Sequence, residues 1–322
     1  MDERNMKLEI AKLIGEPINP ALPTPVALSA IADLNTAVAG EKVYYFASED
    51  SDIDEIYEVN TSTGKIVLVK KEPLSDTALT FTGLNSRKQY VLLDTVLSSP
   101  DVEVLGRKKA SISRGMDKLE LKRILDAIIA LGAVDEIDRD SGEDLYDVIM
   151  KAKHALEDYG DNYALLCGSS VKEAIDNYDK KKAGTFQYNV TLPAKLKELG
   201  IDVMKIWGTV KTGTASANEA DISGAGAERL LATDKFIMVA RNSTIAKGKP
   251  IIFVRRLIPA NIAKMMGAEV DSAQRMLSVS SDTVNVAGTD TLGYSVYGYE
   301  SCVLAITNAR AIKKSVALAD IL

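Results

Sequence analysis

SVYGYESCVLAITNARAIK, residues 295–313, is the stretch on which the fold assignment of this chain depends. Two runs rich in β-branched, aromatic and aliphatic residues, 294–299 and 302–307, predict β-strands. Small residues follow them and lead into Ala311-Ile312-Lys313. Which fold these strands complete is decided by the order of the elements that precede them.

Working backwards along the chain, further strands alternate with a helix. Apolar runs of strand length predict strands at 163–167, 203–207, 236–240, 250–258 and 276–281. A helix is predicted from Val171 to about Lys182, directly after the first of these strands. Helices and strands mixed in this way predict an α+β fold.

Two amphipathic helices are predicted before the strand at 163–167. The first runs from about Met116 to Leu131 and stops at Gly132. Its apolar face consists of Leu121, Ile124, Leu125, Ile128, Ile129 and Leu131, opposite Lys122, Arg123 and Asp126. The second helix begins near Ser141, and its apolar stripe consists of Leu145, Ile149, Ala152 and Leu156.

The N-terminal part of the chain is marked by four prolines within nine residues, at positions 17, 20, 23 and 25. Because proline lacks a backbone N–H and fixes φ, this stretch is neither a helix interior nor a central strand. A short amphipathic helix is predicted before it, over residues 6–14. The first forty residues are interpreted either as an arm with little core of its own or as a frayed terminus.

Residues 43–97 have the character of short β-strands joined by turns. The strand-like runs lie at 43–46, 56–59, 65–69, 79–81 and 89–97. Two or three hairpins fit this pattern. Their high polar content leaves two interpretations open, namely hairpins that project from a core towards another chain and a small antiparallel domain that packs on itself.

A long glycine-, serine-, threonine- and alanine-rich stretch, 208–226, predicts a mobile loop. Within it, Gly224-Ala225-Gly226 precedes a predicted short helix at 228–232 and resembles part of a dinucleotide-binding fingerprint. No strong strand leads into it, and Arg229 stands where the third glycine belongs. No cofactor is therefore assigned to this motif.

The composition excludes several classes of protein. A length of 322 residues allows about two domains. The two cysteines, Cys167 and Cys302, show no paired spacing, so a secreted disulfide scaffold is excluded and a reducing compartment is expected. Neither a run of about 18 apolar residues nor an N-terminal signal core is present, so we expect a soluble protein that is not exported and binds no membrane.

The net charge of −6 argues against a protein that binds nucleic acid mainly by neutralising its phosphates with basic side chains. The short basic groups at 107–109 and 180–182 lack interleaved aromatic residues and predict solvated surface. Residues 1–182 carry 23 basic and 33 acidic groups, whereas residues 183–322 carry 16 and 12. An acidic front and a basic back suit either ordinary solvated surface or head-to-tail association of identical subunits.

The candidate catalytic residues fail the tests of spacing and position. Cys167-Gly168-Ser169 resembles the start of a papain-type signature, but Ser170 and Val171 replace the next two residues. The only histidine, His154, is nine residues after Leu145 and therefore lies opposite the apolar stripe of its helix. We interpret Cys167 as a small buried strand residue and His154 as solvated.

Two acidic clusters fail as calcium loops. The run 49–55 has Glu55 where such a loop needs glycine, and the cluster of Asp138 and Asp140 has Ile149 at the last ligand position. Both clusters are interpreted as solvated turns. No catalytic, cofactor-binding or metal-binding residue is predicted, and no enzyme activity is expected.

The order of the elements resembles that of the major capsid proteins of tailed phages, the Hong Kong 97 type. That order is a proline-rich arm, a polar hairpin segment, one long amphipathic helix, an α/β region with a glycine-rich loop, and a return through long strands. Residues 295–313 look like the closing strand of that family, followed by a small-residue corner. Leu199–Val203 leading into Trp207-Gly208, and Phe236–Val239, are similar to strands of its axial domain. Ala309-Arg310 replaces a proline common at the final corner.

The resemblance implies a division of the chain into four parts. These are an N-terminal arm (1–42), an extended β-hairpin loop region (43–110), a peripheral domain with a spine helix at 116–131 (111–159 and 266–299), and an axial domain (160–265 and 300–322). No crosslinking residue is carried over from the family.

The resemblance also implies a function. The chain would be a structural subunit, not an enzyme, that assembles as hexamers and pentamers into the icosahedral shell around the double-stranded DNA of a tailed bacteriophage. Expected partners are a separate scaffold, a portal, decoration proteins and DNA contacted without sequence preference. The expected location is the virion, after assembly in the cytoplasm of a host bacterium. The alternatives are an encapsulin-like compartment shell and, from a different class, a small-ligand α/β enzyme or binding protein that uses the 208–226 loop.

Overall fold

The computed structural model describes the chain in fourteen ranges, and every structural statement below refers to them. They are residues 28–38, 43–45, 77–86, 89–93, 103–132, 136–181, 191–211, 214–215, 222–223, 227–241, 249–265, 267–271, 273–286 and 288–318. The predicted helix at 6–14 and the predicted strands at 56–59 and 65–69 lie outside them.

Strands and helices in the described residues are numbered in chain order. The strands are β1 (Asp33–Ala37), β2 (Val43–Tyr45), β3 (Thr77–Leu79), β4 (Thr82–Asn85), β5 (Gln89–Leu92), β6 (Glu136–Ile137), β7 (Tyr163–Cys167), β8 (Ile201–Lys205), β9 (Thr209–Lys211), β10 (Thr214–Ala215), β11 (Ile222–Ser223), β12 (Ala227–Arg229), β13 (Phe236–Ala240), β14 (Ile251–Arg256), β15 (Ala268–Val270), β16 (Met276–Val286), β17 (Thr289–Ile306) and β18 (Ile312–Ser315). The helices are α1 (Glu103–Ile129), α2 (Leu145–His154), α3 (Ser169–Lys181), α4 (Leu192–Glu198) and α5 (Ala260–Met265).

The larger sheet, called sheet 1, is built around β17. The N-terminal part of β17 pairs antiparallel with β16 and β5, and its C-terminal part pairs antiparallel with β14 and β4. β1 extends the sheet beyond β14 as a parallel strand, and β15 extends it beyond β16. The two strands predicted at 294–299 and 302–307 are therefore one continuous strand that also passes through Glu300 and Ser301.

The smaller main sheet, called sheet 2, has the order β6-β18-β13-β7-β8. Every residue of β7 and β13 is buried. Alternate side chains of β7 and β13 point to one face of the sheet, where Leu165 and Met238, for example, pack in a cluster with α2, α3 and α4. The side chains on the other face, such as Leu166 and Ile237, pack in a cluster with α1. Continuous apolar runs are what a sheet covered on both faces requires, which confirms the predicted strands at 163–167 and 236–240.

Helix α1 includes most of the helix predicted at 116–131 but begins much earlier, at Glu103, and ends at Ile129. The additional segment carries two glycines and a run of basic residues, so its helical pattern in sequence is weak. Tertiary contacts hold it instead. The apolar cluster that it forms with β16 and β17 contains Leu105, Ile112, Met116, Leu277, Val279 and Val296.

The end of the predicted N-terminal arm is part of the core. β1 pairs in parallel register with β14, and Ile31 is completely buried beside α1. Leu28 and Ala32 are buried with it. A strand that pairs and buries apolar side chains in this way cannot be a frayed terminus, which rules out that interpretation for residues 28–37.

The predicted hairpin region contributes strands to two places. β2 pairs antiparallel with β3, as the two sides of a hairpin do. β4 and β5 both add to β17 in sheet 1, so this part of the region does not form a domain that packs only on itself. Residues 103–110, which the sequence-based division also placed here, belong to α1.

The glycine-rich stretch is more ordered than predicted in its described parts. β9 pairs with β12, and β10 pairs with β11, both antiparallel. The predicted short helix at 228–232 is wrong, because Ala227–Arg229 forms β12 against Lys211–Thr209. Strand pairing with β9 overrides the weak helical preference of so short a segment. The motif at 224–226 lies outside the described residues.

Residues 136–159 pack with sheet 2. β6 pairs with β18, and α2 places Leu145, Val148 and Ile149 in the apolar cluster of β7 and β13. Asp144 caps α2, and its side chain and that of Asp147 each accept a hydrogen bond from the other's backbone N–H. The sequence-based division had grouped these residues with the peripheral domain.

Candidate functional site

His154 and Cys167 have the separate environments that the sequence predicts. His154 lies exposed at the end of α2, where its Nδ1 is 3.1 Å from Glu157 Oε1. Cys167 is fully buried in β7, and its Sγ is 3.5 Å from the carbonyl oxygen of Met204. Burial raises the pKa of the Cys167 thiol to about 12. A thiol in this state is not a nucleophile near neutral pH.

The acidic turn before α2 is a solvated turn, as predicted. Asp138 and Asp140 are exposed, and Asp140 Oδ2 is 2.7 Å from Lys151 Nζ. The hydrogen bond that the Lys151 ammonium group donates to Asp140 raises the pKa of Lys151. Among the described residues there is no group of three or more His, Cys, Asp and Glu side chains that could hold a metal ion. The other acidic cluster, at 49–55, lies outside them.

The most unusual chemistry of the described chain is a buried cluster of charged side chains where α1 crosses sheet 1. We call it the ionic cluster, and it consists of Asp117 and Glu120 from α1, Arg255 from β14, Arg275 from the turn before β16, and Glu300 from β17. Glu120 and Glu300 are completely buried, and Arg275 is 1% exposed.

Arg275 is the centre of the ionic cluster. Its Nε is 2.6 Å from Glu300 Oε2, its Nη2 is 2.8 Å from Glu120 Oε2, and its Nη1 is 2.7 Å from Asp117 Oδ1. Nη1 also donates to the backbone oxygen of Ser113 at 3.1 Å. One guanidinium group therefore ties three positions of α1, Ser113, Asp117 and Glu120, to β17.

Arg255 completes the cluster from the other side of Glu120. Its Nε and Nη2 each donate to one oxygen of the Glu120 carboxylate, both at 2.7 Å. This paired geometry is the strongest that an arginine and a carboxylate form. Glu120 is thus held by two guanidinium groups, from β14 and from the turn before β16.

The turn that carries Arg275 is itself built around a carboxylate. Asp271 Oδ1 accepts hydrogen bonds from the backbone N–H groups of Ala273 and Arg275, each at 2.9 Å. Its Oδ2 accepts from Ser113 Oγ at 3.0 Å. Within this turn Gln274 has a left-handed backbone with φ of 59°. The position of Arg275 is therefore set by contacts with α1 as well as by its own segment.

The charges of the ionic cluster do not balance. Three carboxylate groups face two guanidinium groups, and Glu300 Oε1 is buried without a hydrogen-bond partner. Burial raises the pKa of Glu300 to about 7, and the nearby charge of Glu120 acts in the same direction against the opposing effect of Arg275. Burial favours a lower pKa for Arg275, but the charges of Glu120 and Glu300 outweigh it and the pKa is raised.

The arrangement is suited to holding elements together, not to chemistry on a substrate. A buried guanidinium has no proton to give near neutral pH, and the two central carboxylates are closed off from solvent. What the cluster can do is fix the orientation of α1 on sheet 1, because ion pairs of this kind are directional whereas apolar contacts are not.

The two most exposed large apolar side chains of the described residues lie on the β16–β17 hairpin and on α5. The outer part of the β16–β17 hairpin is a two-stranded ribbon from Thr283 paired with Leu292 to Val286 paired with Thr289, beyond the end of the β5 pairing at Gly293. Leu292 in this ribbon is 63% exposed. On α5, Met265 is 86% exposed. These are the described surfaces with the largest exposed apolar side chains.

None of the helices in the described residues is both long enough and apolar enough to cross a membrane.

Comparison with known proteins gives structural likeness without sequence likeness. No protein-family model matches the chain, and no curated protein sequence is similar to it. The fold is similar to the capsid of an empty GTA particle, with a TM-score of 0.55, 13% identity, and 93% of this chain and 92% of that chain covered. It is similar to a phage-related protein from Bordetella bronchiseptica RB50, with a TM-score of 0.51, 10% identity, and 89% and 90% covered. It is also similar to the capsid of the cyanophage P-SCSP1u, with a TM-score of 0.50, 10% identity, and 94% and 91% covered.

Proposed function

We propose that this chain, which has a Hong Kong 97-like fold, is a structural subunit that assembles with copies of itself into a closed protein shell. The observation that carries the proposal is the extent of the likeness, which covers 93% of this chain and 92% of a GTA capsid subunit. Identities of 10–13% mean that the likeness concerns the fold, so the activity has to be argued from the chain itself.

The outer two-stranded part of the β16–β17 hairpin supports assembly. An isolated two-stranded ribbon is marginally stable in water, because it has no third strand and no sheet face to bury. The outer β16–β17 hairpin is a ribbon of this kind in the described chain. Contact with a neighbouring subunit supplies the missing surface. The exposed Leu292 marks the hairpin as one such contact.

The charge distribution supports the same proposal. Residues 1–182 have a net charge of −10 and residues 183–322 a net charge of +4. Subunits that associate head to tail into rings bring different surfaces together, and opposite charge on those surfaces favours the correct partner. We infer hexameric and pentameric rings as the units of the shell.

The finer form of the proposal is a tailed-phage major capsid protein that encloses double-stranded DNA in a virion assembled in the host cytoplasm. In it, residues 1–42 form the arm, 43–110 the extended loop region, 111–159 and 266–299 the peripheral domain, and 160–265 and 300–322 the axial domain. A separate scaffold, a portal and decoration proteins are the inferred partners, with DNA contacted without sequence preference. The packing of 136–159 on sheet 2 argues for moving that segment to the axial domain, and the start of α1 at Glu103 argues for moving 103–110 to the peripheral domain.

Electron microscopy of the expressed full-length chain, together with sedimentation velocity, tests the shell proposal. We expect closed particles or large ring-containing assemblies, because ribbons and arms gain their stability from neighbours. A protein that remains a monomer at high concentration, with and without co-expressed scaffold, would contradict the proposal.

A variant of the exposed hairpin tests where the subunits touch. Leu292→Asp places a charge on the ribbon without disturbing a buried side chain, so we expect an unchanged melting temperature of the subunit and a shift from particles to smaller species. Ser141→Asp introduces the same charge on the exposed turn before α2 and serves as the control. Equal assembly of the two variants would remove the hairpin from the interface.

The encapsulin-like alternative predicts the same particle with different contents. Particles purified from the native cell and treated with nuclease should retain protected DNA if the chain is a phage capsid protein, and should contain a co-purifying enzyme and little DNA if it is a compartment shell. The alternative of another class, a small-ligand enzyme or binding protein, predicts instead a monomer whose thermal stability rises with added ligand.

A further inference from the structure

We propose that Glu300 acts as a pH-dependent switch at the joint between α1 and sheet 1, by binding and releasing a proton at its buried, unpartnered oxygen. The proposal concerns the folded subunit and goes beyond shell formation, since the ionic cluster lies within one chain. It rests first on geometry. Glu300 is completely buried, shares the guanidinium of Arg275 with Glu120, and has one oxygen with no hydrogen-bond partner.

The unpartnered oxygen is where the proton binds. Glu300 Oε2 accepts from Arg275 Nε at 2.6 Å, so that oxygen is already engaged. Oε1 is buried without any such contact. Leaving a buried, charged oxygen unsatisfied is costly, and protonation at Oε1 removes the charge without disturbing the bond from Arg275.

The charged and titratable groups near Glu300 come from α1, β14, β17 and the turn before β16. Helix α1 contributes Asp117, Glu120 and Arg123, β14 contributes Arg255, and the turn before β16 contributes Asp271 and Arg275. β17 contributes Cys302, whose Sγ is 3.4 Å from Arg123 Nη1. β4, at residues 82–85, has no charged side chain, and the first charged residue of β16 is Asp282.

The electrostatic balance among these groups favours proton uptake on Glu300. Burial raises its pKa to about 7, and the charge of Glu120 adds to the effect, although Arg275 and Arg255 oppose it. Cys302 is not the titrating group, because burial raises its thiol pKa to about 12. The geometry assigns the proton to Glu300, since both oxygens of Glu120 are already hydrogen-bonded by Arg255.

The direction of the pH effect follows from the shift. A carboxyl group with a raised pKa in the folded state stabilises the fold below its unfolded value and loses that contribution as the pH rises through the folded value. For Glu300, with a pKa raised from 4.5 to about 7, the stabilising contribution is full below about pH 4.5 and is lost progressively up to about pH 7, so the joint is tighter in mildly acidic solution than above neutral pH. This is opposite to the behaviour of most carboxylates in ion pairs.

Infrared difference spectroscopy of the full-length protein tests the proton directly. On lowering the pH from about 8.5 to about 5.5, we expect a carboxylic-acid C=O band with a midpoint near neutral pH, well above the ordinary range for glutamate. The band should be missing in Glu300→Gln and present in Glu269→Gln, the control at an exposed glutamate paired with Lys109. Absence of the band from the unmodified protein, or its persistence in Glu300→Gln, would overturn the proposal.

Hydrogen exchange tests the mechanical consequence. Over the same pH change, after correction for intrinsic exchange rates, amide protection in peptides covering 113–124 and 295–305 should rise on the order of 30-fold in the unmodified protein and in Glu269→Gln. In Glu300→Gln, which imitates the protonated state, protection should be high and insensitive to pH. If the unmodified protein shows equal protection at both pH values, the switch is absent, and this holds even if Glu300→Gln does not fold.

Discussion

The two main sheets hold their helices in different ways. On sheet 2, α2 and α3 are held by an apolar cluster in which Leu145, Ile149, Val171 and Ile175 meet β7 and β13. On sheet 1, the N-terminal half of α1 has a small apolar cluster, and its middle is held by the ionic cluster around Arg275. One attachment is apolar throughout, and the other is charged at its centre.

The two attachments serve different needs. Apolar burial contributes stability in proportion to area and tolerates small shifts. A buried ion pair contributes little net stability over an apolar replacement, but it penalises every arrangement in which its partners separate. The ionic cluster therefore specifies one orientation of α1 on sheet 1. The apolar cluster on sheet 2 instead contributes mainly to the free energy of unfolding.

Arg275→Met should give the largest effect, because it leaves Glu120 and Glu300 buried with only Arg255 as a cation. We expect a loss of about 3–5 kcal/mol in the free energy of unfolding, measured by urea denaturation. The loss should be smaller in mildly acidic solution, where Glu300 is protonated.

Lys109→Met is the control for Arg275→Met, since Lys109 Nζ is 2.6 Å from the exposed Glu269 and such pairs contribute about 0–1 kcal/mol. Removing Glu300 as well, in Arg275→Met/Glu300→Leu, leaves Glu120 paired with Arg255 and should recover much of the loss. A double variant less stable than Arg275→Met would contradict the view that unpaired charge causes the loss.

Leu165→Ala tests the apolar attachment on sheet 2. Leu165 is completely buried between β13 and the helices, so we expect a loss of about 2–5 kcal/mol from the cavity and the lost burial. Unlike the loss in Arg275→Met, this one should be the same on either side of neutral pH. Urea denaturation at two pH values measures both, and a pH-dependent loss for Leu165→Ala would break the comparison.

Gly298→Ala tests how closely α1 approaches β17 beside the ionic cluster. An added Cβ would lie 2.8 Å from Ile112 Cγ2 and 2.9 Å from Met116 Sδ. The Ile112 methyl is attached to Cβ and is stiff in a helix, whereas Met116 has a flexible side chain, so only partial relaxation is expected and the loss should be about 1–3 kcal/mol by thermal unfolding. An unchanged melting temperature would show that α1 does not approach Gly298 this closely.

Gly115→Ala should have the smallest effect, and in the opposite direction. Gly115 lies exposed in α1, and an added Cβ meets no atom within 4 Å. Because alanine loses less backbone entropy in a helix, we expect a gain of about 0.8–1.0 kcal/mol. A melting temperature below that of the unmodified protein would mean that α1 needs the glycine for a contact with a neighbouring subunit.

Most of the elements could be predicted from the sequence, and the α+β fold of the Hong Kong 97 type is confirmed. The strands at 163–167 and 236–240 are apolar throughout, and α2 shows a clear helical period, so each was found from its own residues. The start of α1 and the strand β12 were missed. Both depend on partners distant in sequence, namely β16 and β17 for α1 and β9 for β12.

The ionic cluster left one trace in the sequence. Ile112, Met116, Glu120, Ile124 and Ile128 recur every four residues, and Glu120 is the only charged member of this buried stripe. A charge at such a position predicts a buried partner. The identity of that partner could not be predicted, because Arg255 and Arg275 lie more than a hundred residues away.

The sequence by itself determined the local elements, the absence of a recognisable catalytic signature and the separation of charge along the chain. Periods of 2 and 3.6 residues and the chemistry of turns are local properties, and they are present in any stretch long enough to show them. Only the tertiary structure decided that Glu120, Arg255, Arg275 and Glu300 meet, and that Glu300 keeps one oxygen unsatisfied. Burial and pairing are set by the sheet that brings distant segments together, and the pKa of Glu300 is a property of that meeting.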